Sequence, residues 1–142
     1  MKVLHVVAIA VLVLAGSSSA KLIHGWKGIV HLTTVPFIAT TGIYSDVQIL
    51  KTADRDFTKA GAITNLALLG IQASLGTTIF FGDDNQSPTI RMLHHIVGAA
   101  VVASAIWISV QGARDPGVAN LTNNISYTHT ALASAPLLLF SF

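Results

Sequence analysis

The sequence predicts an all-α fold: an integral membrane, up-and-down four-helix bundle, preceded by an N-terminal signal peptide or a fifth apolar helix. Composition is the first reason. The chain is 52% apolar and 10% charged, with mean hydropathy +0.67, whereas a soluble domain carries about 25% charge. The spacing of the charges is the second. Lys2 to Lys21 encloses 18 uncharged residues, Lys27 to Asp46 18, Lys59 to Asp83 23 and Arg91 to Arg114 22, and the 27 residues after Asp115 carry none. A helix spanning hydrocarbon needs roughly 17–25 mostly apolar residues, so five windows qualify on length.

Residues 1–20, MKVLHVVAIAVLVLAGSSSA, have a basic start, an apolar stretch and then small residues, with Ser18 and Ala20 at −3 and −1 to a cleavage point. That order describes a signal peptide, and an uncleaved N-terminal anchor is the alternative. Residues 21–142 form the four-helix transmembrane domain. The first bundle helix is expected over 22–45, ending near Tyr44. The second covers 58–81, with Asp54 or Asp56 as its cap. Ser87 as N-cap and Pro88 as first residue open the third, over 89–112. The fourth covers 125–142. Pro36 and Pro136 fall inside the first and fourth helices, where bundled neighbours tolerate them. Thr33, Thr34, Thr40 and Thr41 are placed to return hydroxyl bonds to the backbone around Pro36. Trp26 and Tyr44 suit an interfacial aromatic belt, while Trp107 suits either belt or packing. GDDNQSP (82–88) reads as a solvated turn, and the sequons at Asn120 and Asn124 as polar loop residues.

With the N-terminus cytoplasmic, Lys2, Lys51, Arg55, Lys59 and Arg114 lie inside and Lys21, Lys27 and Arg91 outside, a positive-inside bias. The expected location is a bacterial inner membrane, and the lipid bilayer is the first partner. The basic residues are scattered around window ends, so nothing supports nucleic-acid binding. Without cysteine there is no disulfide, iron–sulfur cluster or thioether-attached haem. Without glutamate the commonest intramembrane proton carrier is missing. No nucleophile–base dyad, phosphate loop or paired-carboxylate motif occurs, which points to an electron carrier or a subunit rather than a stand-alone catalyst.

The histidines are the chemistry-bearing residues. His5 lies in the N-terminal segment; His24, His31, His94, His95 and His129 lie in the first, third and fourth bundle helices. An ionisable residue inside a membrane is a functional hypothesis by default. His24 and His31 are seven apart, so they share a helix face and differ in depth by roughly 10 Å. Gly28 lies between them, and Gly98 follows His94 and His95 by four and three residues. Glycine there either clears space for a flat ligand or lets helices pack closely. The first and third helices start on the same side, so His24 or His31 can stand opposite His94 or His95. His129 is expected to open the fourth helix at the inner face, with no histidine at its own depth.

Imidazoles facing each other from separate helices are what a b-type haem needs: neutral nitrogen ligands, apolar surroundings and no covalent attachment. Zinc would require more ligands, with Asp83 and Asp84 the only nearby acids. Chlorophyll needs a single histidine and stays open. The expected metal ligands are His31 with His94 or His95. His24, nearer the interface, suits a haem propionate, as do Lys27 and Arg91.

HGWKGIVH in the first helix, RMLHHIVGAA in the third and YTHTALASAP in the fourth together resemble the membrane-embedded four-helix b-type cytochromes. The likeness covers three of the four bundle helices and rests on short motifs. It implies electron transfer through haem held between helices, linked to quinone and to a redox partner at the outer face. Members of that group often hold two haems. Here the second helix offers Asn65 and Gln72 but no histidine, so one haem per chain is expected, with His129 left over. The rival reading is a small structural accessory subunit of a respiratory or photosynthetic membrane complex, with histidines on pigment or only hydrogen-bonded. Assembly into a larger complex or a homo-oligomer fits both. A transporter or proton channel is a third class, disfavoured because the window interiors lack Asp, Glu, Lys and Arg.

Overall fold

The computed structural model describes residues 25–81 and 87–140. The expected signal peptide or anchor, His5, His24 and residues 82–86 of the GDDNQSP turn lie outside the described residues. Four helices follow in order: α1 (Gly25–Thr52), α2 (Asp56–Phe81), α3 (Pro88–Ala113) and α4 (Asn120–Phe140). There is no strand among the described residues. Short connections make successive helices antiparallel. Each helix packs on its neighbours in sequence and α4 closes the ring on α1, which is the up-and-down arrangement.

Several boundaries differ from expectation for physical reasons. α1 runs past Tyr44 to Thr52, because Asp46 does not end the helix; it is buried and receives a hydrogen bond from the Asn65 side chain at 2.8 Å. Around Pro36 the threonines behave as anticipated: Thr34 donates to the carbonyl of Val30 at 2.9 Å and Thr40 to that of Pro36 at 2.7 Å. α4 begins at Asn120, so both sequons are helical. The polar run is stabilised against α3: Asn123 donates its side-chain N–H to the Gly112 carbonyl at 3.1 Å, and Ser126 shares a 2.9 Å hydroxyl bond with Ser109.

Helix starts are handled in two ways. Ser87 caps α3 as its sequence signals, its hydroxyl accepting from the Thr89 N–H with Pro88 in the first turn. At α2 neither Asp54 nor Asp56 takes the cap position. Arg55 does, its carbonyl accepting from the N–H groups of Thr58 and Lys59. The preceding N–H donors go instead to Asp115 in the α3–α4 connection: Asp54 N–H to Oδ1 at 2.9 Å and Arg55 N–H to Oδ2 at 3.1 Å. Gly117 N–H also donates to Oδ1, at 3.0 Å. A Cβ on Gly117 would collide with the Thr52 carbonyl, so glycine is what lets the two connections touch.

The distribution of polarity is unusual. Among the described residues ten polar or charged side chains are buried, against eight apolar ones. The apolar core, Ile49, Ala53, Ala62, Ile108 and Val118, gathers at the Asp115 end. Meanwhile Phe37, Ile63, Ile71, Met92, Ile96 and Leu121 are exposed. α2 and α3 are each long and apolar enough to cross a bilayer. α1 and α4 are more polar because they carry Asp46, His129 and much of the buried hydroxyl and amide set.

Candidate functional site

Two histidine-containing polar clusters lie in the bundle at different heights, one half-buried and one buried. The first joins α1, α2 and α3. His31 and His94 are both half-buried, and their ring centroids are 6.1 Å apart at an interplanar angle of 78°. They come from helices that are not neighbours in the ring, so the pair spans the bundle diagonal. Each lies six residues from its helix's first residue, at the same end of the bundle, as the antiparallel order requires. The expected trans-helical histidine pair is therefore brought together. His95, one residue on, is turned by about 100° around the helix and is exposed; its ring lies 6.0 Å from that of His94.

Gln72 completes this cluster. Its amide nitrogen lies 3.2 Å from His94 Nε2. The amide can present either atom to the ring. With the NH2 donating, Nε2 holds the lone pair and Nδ1–H faces inward; with Oε1 accepting from Nε2–H, the lone pair is on Nδ1. In both arrangements His94 Nδ1 is buried without a protein hydrogen-bond partner. Gly98 does not leave open space here, contrary to one expectation for it, because a Cβ there would stand 3.2 Å from the Gln72 amide nitrogen. Gly76 does the clearing on α2, where a Cβ would stand 3.3 Å from His94 Cε1. Gly28 lies in α1, one turn before His31.

Does an iron between two imidazoles fit? Metal–imidazole bonds of about 2 Å place opposed ring centres about 6 Å apart, the separation of His31 and His94. Only with Gln72 Oε1 accepting from Nε2–H is the lone pair on the unpartnered Nδ1 of His94, the division of a ligating histidine between metal and hydrogen bond; with the NH2 donating, Nδ1 is protonated and Nε2 is already engaged. The ring separation is compatible with that spacing, while the rings stand edge to face at 78°.

The second cluster is Asp46, Asn65 and His129, from α1, α2 and α4, all at most 1% exposed. His129 does not open α4 but sits nine residues after its start, facing Gly42 of α1. Its Nδ1 lies 3.0 Å from the Ile38 carbonyl oxygen. A carbonyl only accepts, so the proton is on Nδ1 and the Nε2 lone pair points inward. Nε2 lies 3.5 Å from Asn65 Nδ2, whose other neighbour is Asp46 Oδ2 at 2.8 Å. Both neighbours are acceptors, which fixes the Asn65 NH2 towards them and leaves its Oδ1 buried without a partner. A Cβ on Gly42 would come within 2.6 Å of His129 Cε1, so glycine creates the seat for the ring.

In the sequence Asp46 serves only as the charge that bounds the first bundle window; the structure puts this acid inside the bundle. A signal was available. Gly42, Ser45, Asp46, Ile49 and Ala53 repeat at helical spacing and are all buried, so continuing the period past Tyr44 puts Asp46 on the inward face. Among the described residues no three His, Cys, Asp or Glu side chains converge as a metal site. Comparison with protein-family models, curated proteins and solved structures finds no match to this chain.

Proposed function

We propose that the chain is a membrane-embedded electron carrier that binds one b-type haem through His31 and His94. The observation that carries this reading is the diagonal His31–His94 pair with its 6.1 Å ring separation, inside a bundle whose exposed surface is rich in large apolar side chains. An apolar exterior around a polar interior suits a lipid surround, in which buried polar groups must find internal partners. In this reading all four helices lie in a bacterial inner membrane, with quinone and an outer-face partner as electron source and sink. Haem supplies reversible one-electron storage. The protein supplies the two imidazoles, the Gln72 amide that orients His94, and the side-chain-free surface of Gly76 beside it.

A second reading has an observation in its favour. His94 Nε2 is already engaged by Gln72, which suits histidines that only hydrogen-bond within a small accessory subunit of a larger membrane complex.

A reduced-minus-oxidised visible spectrum of detergent-purified protein, with pyridine haemochrome quantification, separates the two. The expected result is a b-type α-band at about one haem per chain, lost in His31→Ala and in His94→Ala and retained in His95→Ala. Absence of haem from protein purified from a haem-sufficient host would sink the electron-carrier reading and leave the accessory subunit, to be sought as a stable co-purifying complex.

A further inference from the structure

The Asp46–Asn65–His129 cluster is not used by the haem reading and stands independently of it. It presents a geometric and an electrostatic problem. An ionised carboxylate in a water-poor interior requires a compensating positive charge. The stretches of α2, α3 and α4 around it are charge-free: Ala60 to Phe81, Met92 to Ala113 and Asn120 to Phe140. Among the described residues, Asn65's neutral amide is what hydrogen-bonds to the carboxylate.

We infer that this cluster is a binding site for a single small divalent cation of the zinc or cobalt type, held by His129 Nε2, the Asp46 carboxylate and Asn65 Oδ1. Four features support it. The His129 tautomer is set by the Ile38 carbonyl, the hydrogen bond that commonly orients a metal-ligating imidazole with its other nitrogen free. The inward Nε2 lone pair and Asp46 Oδ2 converge on one point, where the partly positive Asn65 NH2 now stands in for a cation. Asn65 Oδ1, on a fully buried side chain, has no partner. A half-turn of the amide exchanges the NH2 for this oxygen and supplies a third ligand atom. Finally, Gly42 lets the imidazole press against α1, holding the ring where its lone pair meets the carboxylate. One nitrogen and two kinds of oxygen donor suit a borderline divalent ion better than a hard one. Closing to bonds of about 2.0–2.2 Å takes small side-chain movements once the amide hydrogens are out of the way. The fourth position is left to a second carboxylate oxygen or to water.

The test is a Co2+ titration of the full-length chain in detergent, after chelator treatment, followed by the visible ligand-field bands and by metal analysis. The expected result is a saturable spectrum at one equivalent. Asp46→Asn and His129→Gln should each weaken it at least tenfold, and Asn65→Asp, which adds a carboxylate, should tighten it at least tenfold. The double variant His31→Ala/His94→Ala should bind Co2+ as the parent does, which separates this site from the haem site. Far-UV circular dichroism checks that each variant is folded. If His129→Gln does not fold, the gain or loss in Asn65→Asp decides. No saturable band in the parent, equal binding in Asp46→Asn, or no tightening in Asn65→Asp would overturn the inference. Stability that responds to pH but not to Co2+ would also overturn it, leaving a carboxyl neutralised by a proton alone.

Discussion

Gly42 illustrates how much of the interior depends on what a side chain leaves out. Its missing Cβ is the space into which the His129 ring fits, with Cε1 at 2.6 Å, Nδ1 at 2.9 Å and Leu69 Cδ1 at 2.9 Å from where that carbon would stand. Gly42→Ala must therefore push the ring off the Ile38 carbonyl or move α1 from α4. Overpacking of this kind costs about 1–3 kcal/mol, and loss of a buried hydrogen bond adds to it. Thermal unfolding in detergent, followed by circular dichroism, should show a lowered midpoint for Gly42→Ala. Gly70, where a Cβ meets nothing within 4 Å, is the matched control: Gly70→Ala should be neutral or stabilising, because it lowers the backbone entropy of the unfolded chain. At this scale the histidines were legible as candidates, since residue type alone marks them. Which ones meet was only half legible. His31 and His94 could be paired by depth, but nothing local indicated that Gln72 would fill the space above Gly98, or that a second cluster would form around His129.

The connections between elements are tied by one residue. Asp115 takes backbone N–H donors from Asp54, Arg55 and Gly117, so the α3–α4 connection holds the α1–α2 turn and completes the start of α2. Burial by itself raises the Asp115 carboxyl. The Asp54 N–H, the Thr58 hydroxyl beside it and the Arg55 and Gly117 N–H groups outweigh that and hold it at about 2, against an ordinary 3.8. A carboxyl lowered in the folded state contributes stability that is full above the unfolded value and disappears as the pH falls through the folded one. The parent should therefore lose stability between about pH 4 and pH 2. Asp115→Asn should be less stable at neutral pH and lose much of that acid dependence, as read by denaturant unfolding across pH 2–7. Asp115→Ala, which removes every acceptor, should cost about 3 kcal/mol at neutral pH. Helix ends set by local chemistry, such as Ser87–Pro88, were readable in the sequence. The α2 start was not, because its donors are satisfied by a carboxylate some sixty positions away. The α4 start was missed for a related reason. NLTNN (120–124) looks like a loop by composition, and becomes helical because α3 offers the Gly112 carbonyl to Asn123, with Ser109 meeting Ser126 one turn on.

For the whole molecule, the arrangement of polarity is the dominant fact. Large apolar residues such as Ile63, Ile71, Ile96 and Leu121 face outward while Asp46, Asn65, Ser109, Asn123 and His129 face inward. The environment decides the sign of a surface substitution. Ile71 is half exposed near the middle of α2. Facing water, Ile71→Lys would be close to neutral. Facing hydrocarbon, a lysine near a helix centre costs about 2.5–3.5 kcal/mol on insertion scales. We expect Ile71→Lys to reduce the amount of protein in the membrane fraction sharply, with Lys51→Ala, at an exposed helix end, leaving it unchanged. A fully folded, water-soluble Ile71→Lys protein would contradict the membrane reading.

By itself the sequence determined an all-α chain, the approximate positions of four helices, two of them apolar enough to cross a bilayer, the Ser87 cap, the threonine bonds around Pro36 and the identity of the imidazole-bearing helices. These follow from periodicity, window length and local hydrogen bonding, which act over a few residues. Only the tertiary structure decided that α1 continues through Asp46, that α4 starts at Asn120, that His94 rather than His95 is the one beside His31, and that His129 joins Asp46 and Asn65. The physical reason is the same in each case. A polar group ends a helix or faces outward when its partners are water and local backbone, and it goes inside only when distant segments supply a hydrogen-bonding partner.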